Sequence, residues 1–153
     1  MAKIIAEQTI KISKIINAPK KFVFYWCTDF SEDDPKITGS KSIRKILDKT
    51  KKRAVYASLY AGDDGTQKIG VNDVTLKPPD AWHLDYVGEE DNEVADYELT
   101  SLGKNKTKLS MVFKEKYKVS NFDSEEESEK RISRIWDMYV SALESEFRGS
   151  TKS

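Results

Sequence analysis

Between Ile4 and Ile16, β-branched residues recur with partial alternation, Ile10 and Ile12 sharing one parity, and this predicts a long first strand. The following segment, NAPKKFVFYWCTDF, has Phe22, Val23 and Trp26 at helical spacing, with Asn17 as a candidate cap and Pro19 suited to a first helical turn. A second short helical or irregular segment, SEDDPKITG, leads to Gly39, with Ser31 and the acids after it suited to a helix start. Beyond Gly39 the pattern changes to strands, predicted at 41–48, 53–61, 67–77, 81–88, 93–102 and 106–118. Turn chemistry separates them at Asp48–Lys52, at GDDG (62–65), at Pro78-Pro79-Asp80, at Gly88–Asn92 and at Gly103-Lys104-Asn105. Six strands joined by short turns predict an antiparallel meander, and no repeat points to a solenoid or propeller. Finally, Ser124 with Glu127 forms a capping box, and Ile132, Ile135, Trp136, Tyr139, Leu143 and Phe147 recur every three or four residues. A helix over 124–148 with one apolar stripe facing inward follows, Gly149 stopping it, so that 1–149 is expected to be one domain and 150–153 a flexible tail.

Hairpin register can be read against parity, because a one-residue slip turns every side chain to the other face. With 103–105 as the loop, Leu99 faces Leu109, Tyr97 faces Met111 and Ala95 faces Phe113, and both strands agree on one apolar face. The preceding hairpin then sets Leu84 across from Tyr97 and Trp82 across from Leu99, with Tyr86 beside Ala95. The same register sends His83, Asp85, Asp96, Glu98, Lys108, Lys114 and Lys116 to the wet face, with Asp85 opposite Asp96 and His83 opposite Glu98. In 67–77 parity breaks between Ile69 and Val71 on one side and Val74 and Leu76 on the other, which predicts a bulge near Asn72 and Asp73 and leaves Asp73 unassigned.

Composition narrows the functional classes. Formal charge is zero over 153 residues, yet residues 1–60 carry thirteen basic against six acidic side chains and residues 61–100 two against eleven. The basic stretch Lys41, Arg44, Lys45, Lys49, Lys51, Lys52 and Arg53 is a candidate for weak contact with an anionic surface or a protein partner through 41–53. No aromatic residue interleaves it, so no nucleic-acid partner is expected. The single cysteine, Cys27, excludes an intramolecular disulfide, and no segment has the length and apolarity of a membrane span, so a cytoplasmic location is expected.

A long first strand, two short helices, six meandering strands and an amphipathic C-terminal helix resemble the START/Bet v 1-like superfamily, also called SRPBCC or polyketide cyclase/dehydrase and lipid-transport proteins. The local resemblance lies in IINAPKKFVFYWCTDFSEDD at 15–34, with its Ala-Pro entry to the first helix, and in the hairpin YELTSLGKNKTKLSM. It implies an α+β helix-grip fold: a curved seven-stranded antiparallel sheet, with two short helices after strand 1, wrapped around the long C-terminal helix. Members of this superfamily bind lipids, sterols, hormones or polyketides between sheet and helix, and a minority are cyclases, dehydratases or hydrolases. They share no universal catalytic residue, so the resemblance assigns no catalytic residue here.

His83 and Cys27 are the only two residues of their kinds, so a metal site of the usual zinc type is not expected, nor is a cofactor, there being no phosphate loop or Walker motif. Cys27 reads as a buried, inert thiol. An aspartate turned into an apolar cavity acquires a raised pKa and can serve as a general acid or base, which makes Asp73, Asp85 and Asp96 the candidates for catalysis. The expected function is binding of a hydrophobic small molecule or lipid by Trp82, Leu84, Tyr86, Tyr97, Leu99, Met111 and Phe113 of the sheet and Trp136, Tyr139 and Leu143 of the helix, with the two short helices forming the mouth. The alternatives are an enzyme using a cavity carboxylate and an interaction module using the 41–53 hairpin.

Overall fold

Alternation along the chain produces seven strands, whose inward side chains meet a single helical stripe. The computed structural model describes residues 5–62, 64–89, 91–118 and 124–150. Strand β1 (Ile5–Ile16) is followed by helices α1 (Lys20–Cys27) and α2 (Asp34–Ile37). Strands β2 (Ile43–Lys49), β3 (Arg53–Ala61), β4 (Gln67–Lys77), β5 (Ala81–Gly88), β6 (Asp91–Gly103) and β7 (Lys106–Lys118) and helix α3 (Glu125–Ser150) complete it. All seven strands form one antiparallel sheet in the order β1-β7-β6-β5-β4-β3-β2. The meander is thus closed by β1 crossing to the far side and pairing with β7.

Local chemistry accounts for most boundaries. The Ser124 hydroxyl accepts a hydrogen bond from the Glu127 amide at 3.1 Å, capping α3, and Glu125, Glu126 and Glu127 complement the positive end of its dipole. Gly149 does not stop the helix, which continues through it to Ser150, while 151–153 lie outside the described residues. Pro19 rather than Asn17 occupies the N-cap position of α1, with no side-chain cap, and the Asn17 amide instead donates to Glu144 of α3.

Register partly differs from expectation. Leu99 faces Leu109, Tyr97 faces Met111 and Ala95 faces Phe113, as parity predicts. In the β5–β6 hairpin, however, Trp82 pairs with Tyr97, Leu84 with Ala95 and Tyr86 with Glu93, a shift of two residues that preserves the inward face. The cause is a tighter connection, since β5 runs to Gly88 and β6 resumes at Asp91. His83 consequently faces Asp96 rather than Glu98, and Asp85 faces Val94 on β6 and Asp73 on β4, so the confronting aspartates are Asp73 and Asp85 rather than Asp85 and Asp96. Nor is there a bulge at Asn72 and Asp73, because β4 pairs regularly with both neighbours. Gly70, Asn72, Val74 and Leu76 all point inward, and Ile69 and Val71 are exposed on the outer face. Register shifts occur instead in β2, between Ile46 and Asp48, and in β6, between Ser101 and Gly103.

Inward residues form continuous rows across the strands. One runs Ile10, Phe113, Ala95, Leu84, Val74, Ala54, and a second runs Ile12, Met111, Tyr97, Trp82, Leu76. They join Ile16, Leu109, Leu99, Val23, Phe24, Ile132 and Leu143 in the core. The helix α3 is tied to β1 along its length: Gln8 to Ser128 (2.7 Å), Lys14 to Ser133 (2.7 Å) and Asp137 (2.6 Å), and the Asn17 amide just beyond the strand to Glu144 (2.7 Å).

Two consequences can be measured. Tyr86 lies over Gly70 and Gly88, where a Cβ would come within 2.3 Å and 2.5 Å of its ring and hydroxyl. Gly70→Ala therefore costs about 1–3 kcal/mol by overpacking, and chemical denaturation of the double variant with Tyr86→Leu recovers most of it. On the outer face, His83 Nδ1 lies 2.6 Å from Asp96 and Nε2 3.2 Å from Asp85, and the hydrogen bond to Asp96, opposed by partial burial, raises its pKa. A raised folded-state value means that the pair contributes stability below the unfolded value near ~6.5 and loses it as pH rises through the folded value. NMR of this single histidine gives a midpoint above the unfolded value, and Asp96→Asn lowers it.

Candidate functional site: an aromatic cavity with a carboxyl pair

The inward rows and α3 do not meet everywhere. Ile132 and Leu143 are buried at 7% and 1% exposure, but Ile135, Trp136 and Tyr139 between them are only partly covered. Beneath that middle stretch is a cavity of about 240 Å³. Its sheet wall is Trp82, Leu84, Tyr97 and Phe113, its helical wall is Ile132, Ile135, Trp136 and Tyr139, and α1 and the turn after it contribute Trp26, Cys27 and Phe30. Six of the ten expected ligand-binding residues line it: Trp82, Leu84, Tyr97, Phe113, Trp136 and Tyr139. Leu99, Met111 and Leu143 are packed into the core beyond it, and Tyr86 covers Gly70 and Gly88.

The aromatic rings form a connected set. Tyr97 stacks on Trp82 at 4.7 Å with planes 9° apart, meets Phe113 edge-on at 5.8 Å, and touches Trp136 at 5.7 Å. Trp136 meets Tyr139 at 5.2 Å, and Tyr139 meets Trp26 at 6.4 Å. Phe30 adopts a left-handed backbone (φ 48°), rare for a bulky residue, and its ring is buried and stacked 5.1 Å from Tyr56.

None of the three candidate aspartates reaches this space. Asp73 is held on the outer face by both ends of the Arg53 guanidinium (2.9 and 2.8 Å), which lowers its pKa. Asp85 and Asp96 flank His83 on the same outer face, with side chains 55% and 61% exposed. Strand parity explains all three, since each is out of phase with the inward rows.

Two glutamates take the place of the aspartates. Gln8, Glu115, Glu93, Tyr86, Asn72 and Tyr56 make a third inward row, polar where its neighbours are apolar. Glu93 and Glu115 are direct cross-strand partners, and both line the cavity. Burial, then the Glu115 charge, pushes the Glu93 pKa far above the usual carboxylate range, which favours its protonated form. Gln8 donates to Glu115 at 3.0 Å, and Arg131 of α3 faces the pair. The sequence carries a signal for the pair: residues 93 and 115 continue the parity of Ala95, Tyr97, Met111 and Phe113.

A second polar group stands at the other side, where α2 meets β2. Arg44 bonds Asp34 at 2.9 Å and lies 4.6 Å over the Tyr56 ring, and its Nε is buried without an acceptor among the described residues. Burial, against the attraction of Arg44, pushes Asp34 up to about 6 and Tyr56 up to about 12. Burial likewise raises the Cys27 thiol, reinforced by Asp29 and Asp34, which keeps it protonated and a poor nucleophile. Of the basic stretch, Arg44 is thus drawn into the cavity wall, Arg53 is paired with Asp73, and Lys49 donates to the Asp29 carbonyl. Among the described residues no helix is long and apolar enough to cross a membrane, and no cluster of histidine, cysteine and carboxylates could hold a metal ion.

No family model matches the sequence, and no curated protein matches it. Solved structures do match its fold. TTHA0849 of Thermus thermophilus superposes with a TM-score of 0.72 at 11% identity, over 94% of this chain and 99% of that one. A START superfamily protein of Mycobacterium smegmatis gives 0.66 at 13% identity over 92% and 97%. The Zhui aromatase/cyclase of a Streptomyces species gives 0.63 at 13% identity over 94% of both chains. Sheet order, paired short helices and a long helix across the concave face, together with these superpositions, give this chain the START/Bet v 1-like, or helix-grip, fold.

Proposed function

We propose that the protein binds a small, largely apolar molecule in the cavity between the concave sheet and α3. The observation that carries this reading is the space of about 240 Å³ beneath Trp136 and Tyr139, walled by Trp82, Tyr97 and Phe113. The volume lies just under the ~300–1,000 Å³ of drug-sized sites and suits a guest of one or two rings better than a long acyl chain. Covering about 200 Å² of apolar surface contributes roughly 5 kcal/mol at ~25 cal/mol per Å², before the entropy of association is subtracted. The structural likeness to a START protein and to an aromatase/cyclase supports the same use of the space.

Catalysis on the same scaffold is the second reading, and one observation favours it: an acid pair, Glu93 and Glu115, faces the cavity. The catalytic candidates therefore become glutamates, not Asp73, Asp85 or Asp96. The 41–53 hairpin as a contact surface draws less support, because Arg44, Lys49 and Arg53 are engaged within the chain.

Native mass spectrometry of protein purified from its own host is expected to reveal a co-purifying small molecule. Filling the cavity from the helix side with Ile135→Trp is expected to weaken uptake of a fluorescent naphthalene probe about tenfold or more with circular dichroism unchanged. Unaltered uptake by that folded variant would place the guest elsewhere. Turnover of the co-purified molecule, abolished in Glu93→Gln with binding retained, would establish the catalytic reading.

A further inference from the structure

Resting on the reading of the cavity as a ligand site, the chemistry of its polar wall identifies the kind of guest. Two carboxyl groups, Glu93 of β6 and Glu115 of β7, stand side by side against the aromatic set, one held by Gln8 of β1, with Arg131 of α3 facing both. Tyr86 of β5, Tyr97 and Asp91 of β6, and Tyr56 of β3 are the other titratable groups around them, with Cys27, Asp34 and Arg44 lining the same cavity. Counted as formal charges, the two carboxyl groups outweigh Arg131 by one. A purely apolar guest would strip water from this group and return nothing to it. An anionic guest would be repelled by the ionised carboxylate. An ammonium group would cancel that excess, while Tyr97, Phe113 and Trp136 supply ring faces that attract it.

On the other wall Arg44 is already bonded to Asp34 at 2.9 Å, so this ion pair leaves the charge balance of the cavity to Glu93, Glu115 and Arg131.

We propose that the Glu93–Glu115 pair is a cation-recognition site and that the guest is a compact arylalkylamine, bound as its ammonium form. The ammonium's N–H groups donate to the oxygens of the two carboxyl groups.

A matched naphthalene series tests this in the intact protein: 2-naphthylmethylamine, 2-acetylnaphthalene, 2-ethylnaphthalene and 2-naphthoate, titrated calorimetrically near neutral pH. The expected result is at least about tenfold tighter binding of the amine than of the ethyl compound. That preference is expected to vanish in Glu93→Gln, and in Glu115→Gln should the first variant fold poorly, while the ethyl compound still binds. Binding of the ethyl or acetyl compound as tightly as the amine overturns the cation site and leaves the cavity reading standing. Failure of all four probes to bind overturns both.

Discussion

The structure depends on how α3 is held. Polar bonds from Gln8, Lys14 and the Asn17 amide fix the helix along β1 at one margin of the sheet, and Ile132 and Leu143 pin it to the core on either side of its middle. Between these points the helix can only bridge the hollow of the sheet. Its central residues then meet the opposite wall through large rings rather than close backbone approach, and a void persists where the rings do not interlock. The cavity is a product of where the anchors are, not of a gap in hydrophobic content.

Much of this is legible in the alternation of the chain. The strand order, the long helix and the inward face follow from parity and turn chemistry, because both depend on neighbours close in sequence. Expectation and structure part where a connection length has to be guessed. Reading Gly88–Asn92 as an open loop displaces the β5–β6 pairing by two residues, which leaves every inward residue inward but gives Tyr97 the wrong partner and pairs the wrong acids. In β4 the exposed Ile69 and Val71 imitate a second inward phase and suggest a bulge, where the chain simply keeps two apolar residues on the outer face.

The carboxyl pair escapes sequence reasoning for a different reason. An acidic residue in a strand is ordinarily solvated, and parity alone gives Glu93 and Glu115 the same inward phase as Ala95 and Phe113. Their meaning emerges only when the partner strand, the helix above and the space between are known together. Two adjacent buried acids raise the energy of the unliganded fold, since each removes solvent from the other's charge. Gln8 and Arg131 offset part of that cost, and the aromatic walls do not.

The pairing of β1 with β7 has a consequence for biosynthesis. Strands β2 to β6 can zip as consecutive hairpins while the chain emerges, but β1 has no β-sheet partner until β7 appears about ninety residues later, and α3 follows only after that. The roof and one flank of the hollow are therefore the last parts to assemble. A guest therefore cannot be enclosed before α3 has been made, however early the hairpins of the sheet have formed.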